Sequence, residues 1–255
     1  MRTLSPWLAG VVTCLGLALA PARAEPLPGF KLDGARWTYQ DEQLKMQGGF
    51  LKPEGNGPFP AIVISHGLGG GPDGFSMPKA REFVKWGFVC IAPEYTHAKG
   101  GDDRKTFGAS PDNLRRATKC LDILASLPYV DQKRICAYGN SMGAFVTIGL
   151  AATAPDRLAA AAITAGGVAP KAGFPAPATE EAAKVRTPFC ILHGTTDTTV
   201  RPEMSATFKE VLDKNKVPSV RTVFEGVGHN LHQEKAKEVY QHLQDWFRKQ
   251  GVLKP

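Results

Sequence analysis

Short apolar runs and helical stretches alternate along most of this chain. Residues 61–65 (AIVIS) form a continuous apolar run, the mark of a strand buried on both faces. Residues 88–92, 134–138, 160–164, 189–192 and 220–224 repeat the pattern. Helical segments lie between them. Residues 77–86 fit one. Ser110-Pro111-Asp112 opens another, with a hydroxyl at the N-cap, a proline at the first helical position and an acid in the first turn, and this helix runs to about Leu127. Residues 142–153 and 202–215 fit two more. A last helix is expected over 232–249, where Ala236, Val239, Tyr240, Leu243, Trp246 and Phe247 fall on one face. Strands alternating with helices predict an α/β fold with a doubly wound, mostly parallel sheet. Ahead of this series, residues 37–39 and 44–51 read as strands of an antiparallel meander, and residues 53–60 as a Pro/Gly loop.

The first residues follow neither pattern. Arg2 is followed by an apolar stretch over 7–20, and Ala22-Arg23-Ala24 fits a small-x-small cleavage site before Glu25. Residues 1–24 therefore read as an export signal, with a periplasmic or extracellular destination. The apolar stretch is shorter than the roughly 20 residues that span a bilayer, and an uncleaved anchor is the alternative. Cys14 lacks the Leu-Ala-Gly context of a lipoprotein signal. No second stretch of membrane length follows, so no stable membrane association is expected. The remainder, 25–255, suits one domain: the chain has 255 residues, 43% of them hydrophobic.

Losing residues 1–24 removes Arg2 and Arg23 and no acid, which lowers the formal charge from +7 to +5. The basic residues are scattered, without an arm or an aromatic-laced stripe, which argues against nucleic-acid binding. No pair among the six histidines has metal-ligand spacing on a helix, so neither a metal nor another cofactor is expected.

The chemistry concentrates at Gly139-Asn140-Ser141-Met142-Gly143. This is G-x-S-x-G between a buried strand and a small-residue helix. The chain must turn sharply there. Side chains two residues either side of Ser141 would collide, so Gly139 and Gly143 are required, and the hydroxyl is exposed above the sheet at a helix N-terminus. Serine needs a base. His193-Gly194-Thr195-Thr196-Asp197 follows one buried strand and Gly226-Val227-Gly228-His229 follows the next. Both Asp197 and His229 then land on the strand ends where open α/β sheets bind ligands. His229 is the expected base and Asp197 the acid that holds its tautomer. His232 is the alternative base, otherwise a surface residue or cap. Glu203 and Glu225 are alternative acids, and His193 is expected to brace the acid loop. His97 and His242 lie outside any motif. The expected oxyanion hole combines the backbone N–H groups of Met142 and Leu68, the latter in the loop His66-Gly67-Leu68-Gly69-Gly70-Gly71.

At these residues the chain resembles the dienelactone hydrolase family of α/β hydrolases, over about 37–247. The resemblance takes in Gly49-Phe50-Leu51-Lys52-Pro53, Ser65-His66-Gly67, Trp86-Gly87-Phe88, Ala92-Pro93-Glu94-Tyr95, the elbow, the acid loop and Gly228-His229. It implies the α/β-hydrolase fold. Two positions depart from the pattern. Members that open dienelactones use a cysteine nucleophile where this chain has Ser141. They also carry a glutamate that partners the thiol where this chain has Gly67. The departures favour ordinary serine-esterase chemistry.

The leading expectation is thus a secreted carboxylic-ester hydrolase forming an acyl-Ser141 intermediate on a small-molecule ester. A serine peptidase acting on short peptides, a lactone hydrolase and a binding protein on an inactive hydrolase fold remain open. The usual hydrolase strand order separates the strands of Cys90, Cys136 and Cys190, and strands two apart lie about 9.6 Å from each other, too far for a disulfide. Cys120, on a helix, is left open. No cap domain is expected. Between Thr164 and Pro188, Gly166, Gly167, Pro170, Gly173, Pro175 and Pro177 break up the first half, and a helix over 179–185 fills most of the rest. An open site without a lid predicts small or short-acyl substrates.

Overall fold

The computed structural model describes residues 25–169 and 173–254; the expected export signal at 1–24 and Pro170 lie outside the described residues. The described residues form nine strands: β1 (Phe30–Asp33), β2 (Arg36–Gln40), β3 (Lys45–Leu51), β4 (Phe59–Ser65), β5 (Val89–Pro93), β6 (Val130–Asn140), β7 (Ala160–Thr164), β8 (Phe189–Gly194) and β9 (Ser219–Phe224). Their helices are α1 (Met77–Lys85), α2 (Pro111–Ser126), α3 (Met142–Thr153), α4 (Thr179–Ala182), α5 (Pro202–Lys214), α6 (Leu231–Glu234) and α7 (Ala236–Lys249). The strands make one sheet in the order β1-β2-β3-β5-β4-β6-β7-β8-β9. The first three run antiparallel as a meander, and β4 to β9 are mutually parallel. The fold is that of an α/β hydrolase.

Although the parallel strands are apolar throughout, their residues still alternate between faces. Ala61 and Val63 pack on one side with α2, α3 and α5, through residues such as Leu121, Val146 and Phe208. Ile62 and Ile64 pack on the other with α1 and α7, through Phe83, Leu243 and Phe247. This double burial positions the C-terminal strand ends rigidly along one edge, where the loops that follow β4, β6, β8 and β9 gather.

Several boundaries differ from the sequence expectation. The sequence pattern does not mark β1 within the meander, because its residues are mostly exposed and show no apolar alternation. β6 is longer than 134–138, and α4 ends at Ala182 rather than near 185. The last helix is interrupted at Lys235, whose φ of −134° is not helical. The break lets α6 turn Leu231 inward separately from the apolar stripe of α7.

β4 lies between β5 and β6, with Ile62 paired to both Cys90 and Cys136, and β7 lies between β6 and β8. The three strand cysteines are therefore two or more strands apart. Cys120 packs on the face of the sheet opposite Cys90. All four described cysteines are buried, free thiols, and burial pushes their pKa values up. Alkylation in denaturant without reductant should label all four, read by mass spectrometry. A bridge between any two of Cys90, Cys136 and Cys190 would show that the sheet order is wrong.

Candidate active site

Ser141 leaves β6 and opens α3 in one residue, at φ 53° and ψ −120°. This positive φ is uncommon for a residue with a Cβ. The flanking glycines make the turn possible. A Cβ on Gly139 would lie 2.2 Å from the Gly143 carbonyl oxygen, and one on Gly143 would lie 2.2 Å from the Ser65 carbonyl oxygen. The Ser141 N–H donates to the Thr164 carbonyl on β7 (3.0 Å), which ties the bend to the sheet.

The acid loop leaves β8. Asp197 is 3% exposed, and its Oδ1 accepts the N–H groups of Thr199 and Val200, each at 2.9 Å. Its Oδ2 accepts from His229 Nδ1 at 2.8 Å. Because a carboxylate only accepts, the His229 proton sits on Nδ1 and Nε2 is left as the acceptor. Ser141 Oγ lies 2.9 Å from that nitrogen. The structure thus brings Ser141, His229 and Asp197 into one hydrogen-bonded line. Glu203, on α5, and Glu225, after β9, are outside it.

His193 Nε2 donates to the Val200 carbonyl (2.8 Å) and lies 3.2 Å from Asp197 Oδ2, so it braces the acid loop as expected. Burial lowers its pKa in spite of the neighbouring carboxylate. The loop after β4 is braced by side chains whose partners carried no sequence signal. His66 Nδ1 donates to the Gly67 carbonyl (2.8 Å), and Gly70 N–H donates to the same oxygen (3.2 Å). In a trans peptide the N–H points opposite to the C=O, so this anchoring also sets the direction of the Leu68 N–H. His66 Nε2 accepts from Tyr95 N–H, and His97 Nε2 donates to the His66 carbonyl, both at 3.1 Å. Asn113 Nδ2 donates to His97 Nδ1 (3.2 Å). Gly67 lies against the elbow: a Cβ there would be 3.3 Å from Ser141 Cβ. Among the described residues, the N–H groups of Leu68 and Met142 donate to no carbonyl.

His232 is not a surface residue or a simple cap. It is turned inward, its Nε2 hydrogen-bonded to the Tyr138 hydroxyl. That hydroxyl lies 2.9 Å from Thr164 Oγ1, which donates to Asn140 Oδ1 at 2.8 Å. A histidine at the start of a polar helix offers no sign that its partner is a tyrosine 94 residues earlier.

Burial lowers the pKa of His66, of His97 to about 3 and of His232 to about 3, with the charges of His66 and Lys79 adding to the last two respectively. Held below the ordinary 6.5, these imidazoles stay neutral in the folded chain while the unfolded chain takes up protons. The stability present above pH 6.5 is therefore lost as the pH falls toward 3, at about 1.4 kcal/mol per pH unit for His97 and for His232. The melting temperature should drop steadily between pH 6.5 and 4. Thermal melts across that window check it, and a flat profile would mean these rings are not held neutral.

Comparison with known proteins agrees with this architecture. The model of the Dienelactone hydrolase family matches residues 46–249. A Yersinia pestis protein that bears the name carboxymethylenebutenolidase is 24% identical over 215 residues, covering 77% of this chain and 80% of that protein. Esterase FrsA of Escherichia fergusonii is 30% identical over 115 residues, covering 45% of this chain but 27% of its own length. Among solved structures, Thermogutta terrifontis esterase 2 superposes with a TM-score of 0.71 at 18% identity, over 89% of this chain and 97% of that one. Since the family pattern runs from β3 through α7 and takes in every loop of the hydrogen-bonded line, this chain is a hydrolase that belongs to the dienelactone hydrolase family.

Proposed function

We propose that the chain is an exported serine esterase that cleaves small or short-acyl carboxylic esters through an acyl-Ser141 intermediate. The observation that carries this reading is the line from Ser141 Oγ to His229 Nε2 (2.9 Å) and from His229 Nδ1 to Asp197 Oδ2 (2.8 Å). Ser141 Oγ attacks the ester carbonyl carbon while its proton passes to His229 Nε2. The carbonyl electron pair moves onto oxygen, facing the unpaired N–H groups of Leu68 and Met142. Collapse expels the alkoxide, which takes the proton from His229. Water, deprotonated by His229, then releases the acid and restores Ser141.

Substrate size follows from what stands over the site. Between β7 and β8 the described residues form only α4, a helix of 4 residues. Among the described residues there, no apolar helix pair encloses a long chain, so each further CH₂ would recover little of its roughly 0.8 kcal/mol of burial. Structures of Thermogutta terrifontis esterase 2 hold butyrate and propionate, which fits a short-acyl reading. The name of the Yersinia pestis relative favours a second reading, a lactone as substrate. A lactone is a cyclic ester and would use the same steps. Export rests on residues 1–24.

Ser141→Ala should lower kcat/KM by about 10⁴-fold or more in a protein that still folds, and Asp197→Asn by about 10⁴-fold. A fluorophosphonate probe should label the wild type once, at Ser141, and leave Ser141→Ala unlabelled. Across p-nitrophenyl esters, kcat/KM should peak at roughly C2 to C6. A maximum at long chains would reveal a lipid groove and end the short-acyl reading.

A further inference from the structure

One polar side chain in the elbow is unused by the triad. Asn140 immediately precedes Ser141 and is part-buried. Its Oδ1 accepts from Thr164 Oγ1 at 2.8 Å, across the paired positions of β6 and β7. Its Nδ2 has no partner among the described residues, and it faces Gly67: a Cβ there would lie 3.5 Å from Asn140 Nδ2 and 3.3 Å from Ser141 Cβ. The amide donor, the nucleophile and the loop that carries the Leu68 N–H therefore meet around one small space, left open because residue 67 has no side chain.

The orientation of that amide follows from the buried chain behind it. Three contacts link His232 Nε2, the Tyr138 hydroxyl, Thr164 Oγ1 and Asn140 Oδ1. Tyrosine and threonine bring one proton each, so all three contacts are satisfied only if every donor points the same way. Run forward, His232 Nε2–H donates to Tyr138, Tyr138 to Thr164, and Thr164 to Asn140 Oδ1. His232 Nδ1 is then a bare lone pair, and it is buried without a partner. Run backward, that nitrogen would carry a proton buried with no acceptor, near the positive charge of Lys79. An orphaned buried N–H is the less tolerated of the two, and the nearby cation favours the lone pair. The forward direction turns Asn140 Nδ2, both protons free, toward the nucleophile and the Gly67 loop.

We propose that Asn140 is a further catalytic residue of this site, its Nδ2 donating to the oxyanion that forms on the ester carbonyl beside Leu68 N–H and Met142 N–H. Tyr138, Thr164 and His232 are its positioning residues. The assignment rests on the acyl-Ser141 reading above. It extends the oxyanion hole by a side-chain donor that is worth most when charge has developed on the oxygen, so its loss is felt in kcat rather than KM.

The decisive comparison is Asn140→Asp against Asn140→Ala. Aspartate keeps the acceptor for Thr164 and nearly the same shape, but it cannot donate. Alanine loses both functions. If Asn140 donates, kcat on a short-acyl p-nitrophenyl ester falls about 10²-fold in the alanine variant with KM within about threefold, and at least as far in the aspartate variant. The affinity for a trifluoromethyl ketone, which forms a hemiketal oxyanion on Ser141, falls by the same factor. Thr164→Val, which releases the amide without removing it, should lower kcat about tenfold and supplies the test if substitutions at Asn140 fail to fold. Aspartate restoring kcat and ketone affinity to within threefold of wild type would make Asn140 a structural brace and overturn the proposal. So would a Thr164→Val variant of unchanged kcat. A wild-type chain that a fluorophosphonate leaves unlabelled would overturn the reading of Ser141 itself, a distinguishable result.

Discussion

The catalytic edge depends on one backbone constraint: the chain must pass from β6 into α3 within a single residue. Ser141 holds a conformation that costs of order 1–3 kcal/mol, and it persists because its surroundings over-determine it. α3 is buried from Met142 through Ala152, so the helix cannot shift to relax the bend. β6 is fixed between β4 and β7. Gly139 and Gly143 remove the two side chains that would otherwise occupy carbonyl positions. Gly166, on the loop after β7, allows Ala144 to close over the same turn, since a Cβ there would lie 2.2 Å from that methyl carbon. The core holds the strained turn, and the turn holds the serine.

The second principle of the site is the exclusion of charge from the structure around it. His66, His97, His193 and His232 are all held neutral by burial, each with a ring nitrogen committed to a neighbour. Their proton positions orient carbonyls and hydroxyls rather than exchange with substrate. His229 differs: its side chain is 21% exposed, with Nδ1 on Asp197 and Nε2 on Ser141. Buried neutral imidazoles are effective braces because a ring cannot rotate without breaking hydrogen bonds that no water can replace.

The two polar chains meet at the elbow from opposite sides. From β5 and α2, Asn113, His97 and His66 fix the carbonyls of the loop after β4. From α6, His232, Tyr138 and Thr164 fix Asn140. Gly67 lies where they converge. Here residue 67 has no side chain, and the uncharged Asn140 amide lies beside that position.

The sequence by itself determined what depends on near neighbours. Continuous apolar runs marked the buried strands, and the abrupt G-x-S-x-G turn set the start of α3 and the place of Ser141, because Gly139 meets Gly143 only four residues on, while the demand for glycine at 143 also comes from the Ser65 carbonyl on β4. Placing Asp197 and His229 after consecutive strands was enough to put them on the same edge as Ser141. The strand order likewise kept the cysteines apart. Tertiary structure decided what depends on chain segments meeting. β1 has no apolar face to announce it, and the break at Lys235 answers to how α6 and α7 pack. Only the folded chain showed that His232 turns inward to Tyr138, that His66 and His97 anchor a glycine loop, and that Thr164 holds the Asn140 amide. These partners are far apart in the chain, and a hydrogen bond between distant residues leaves no period in the sequence: it forms because the surrounding apolar packing brings the two groups together where water cannot serve either.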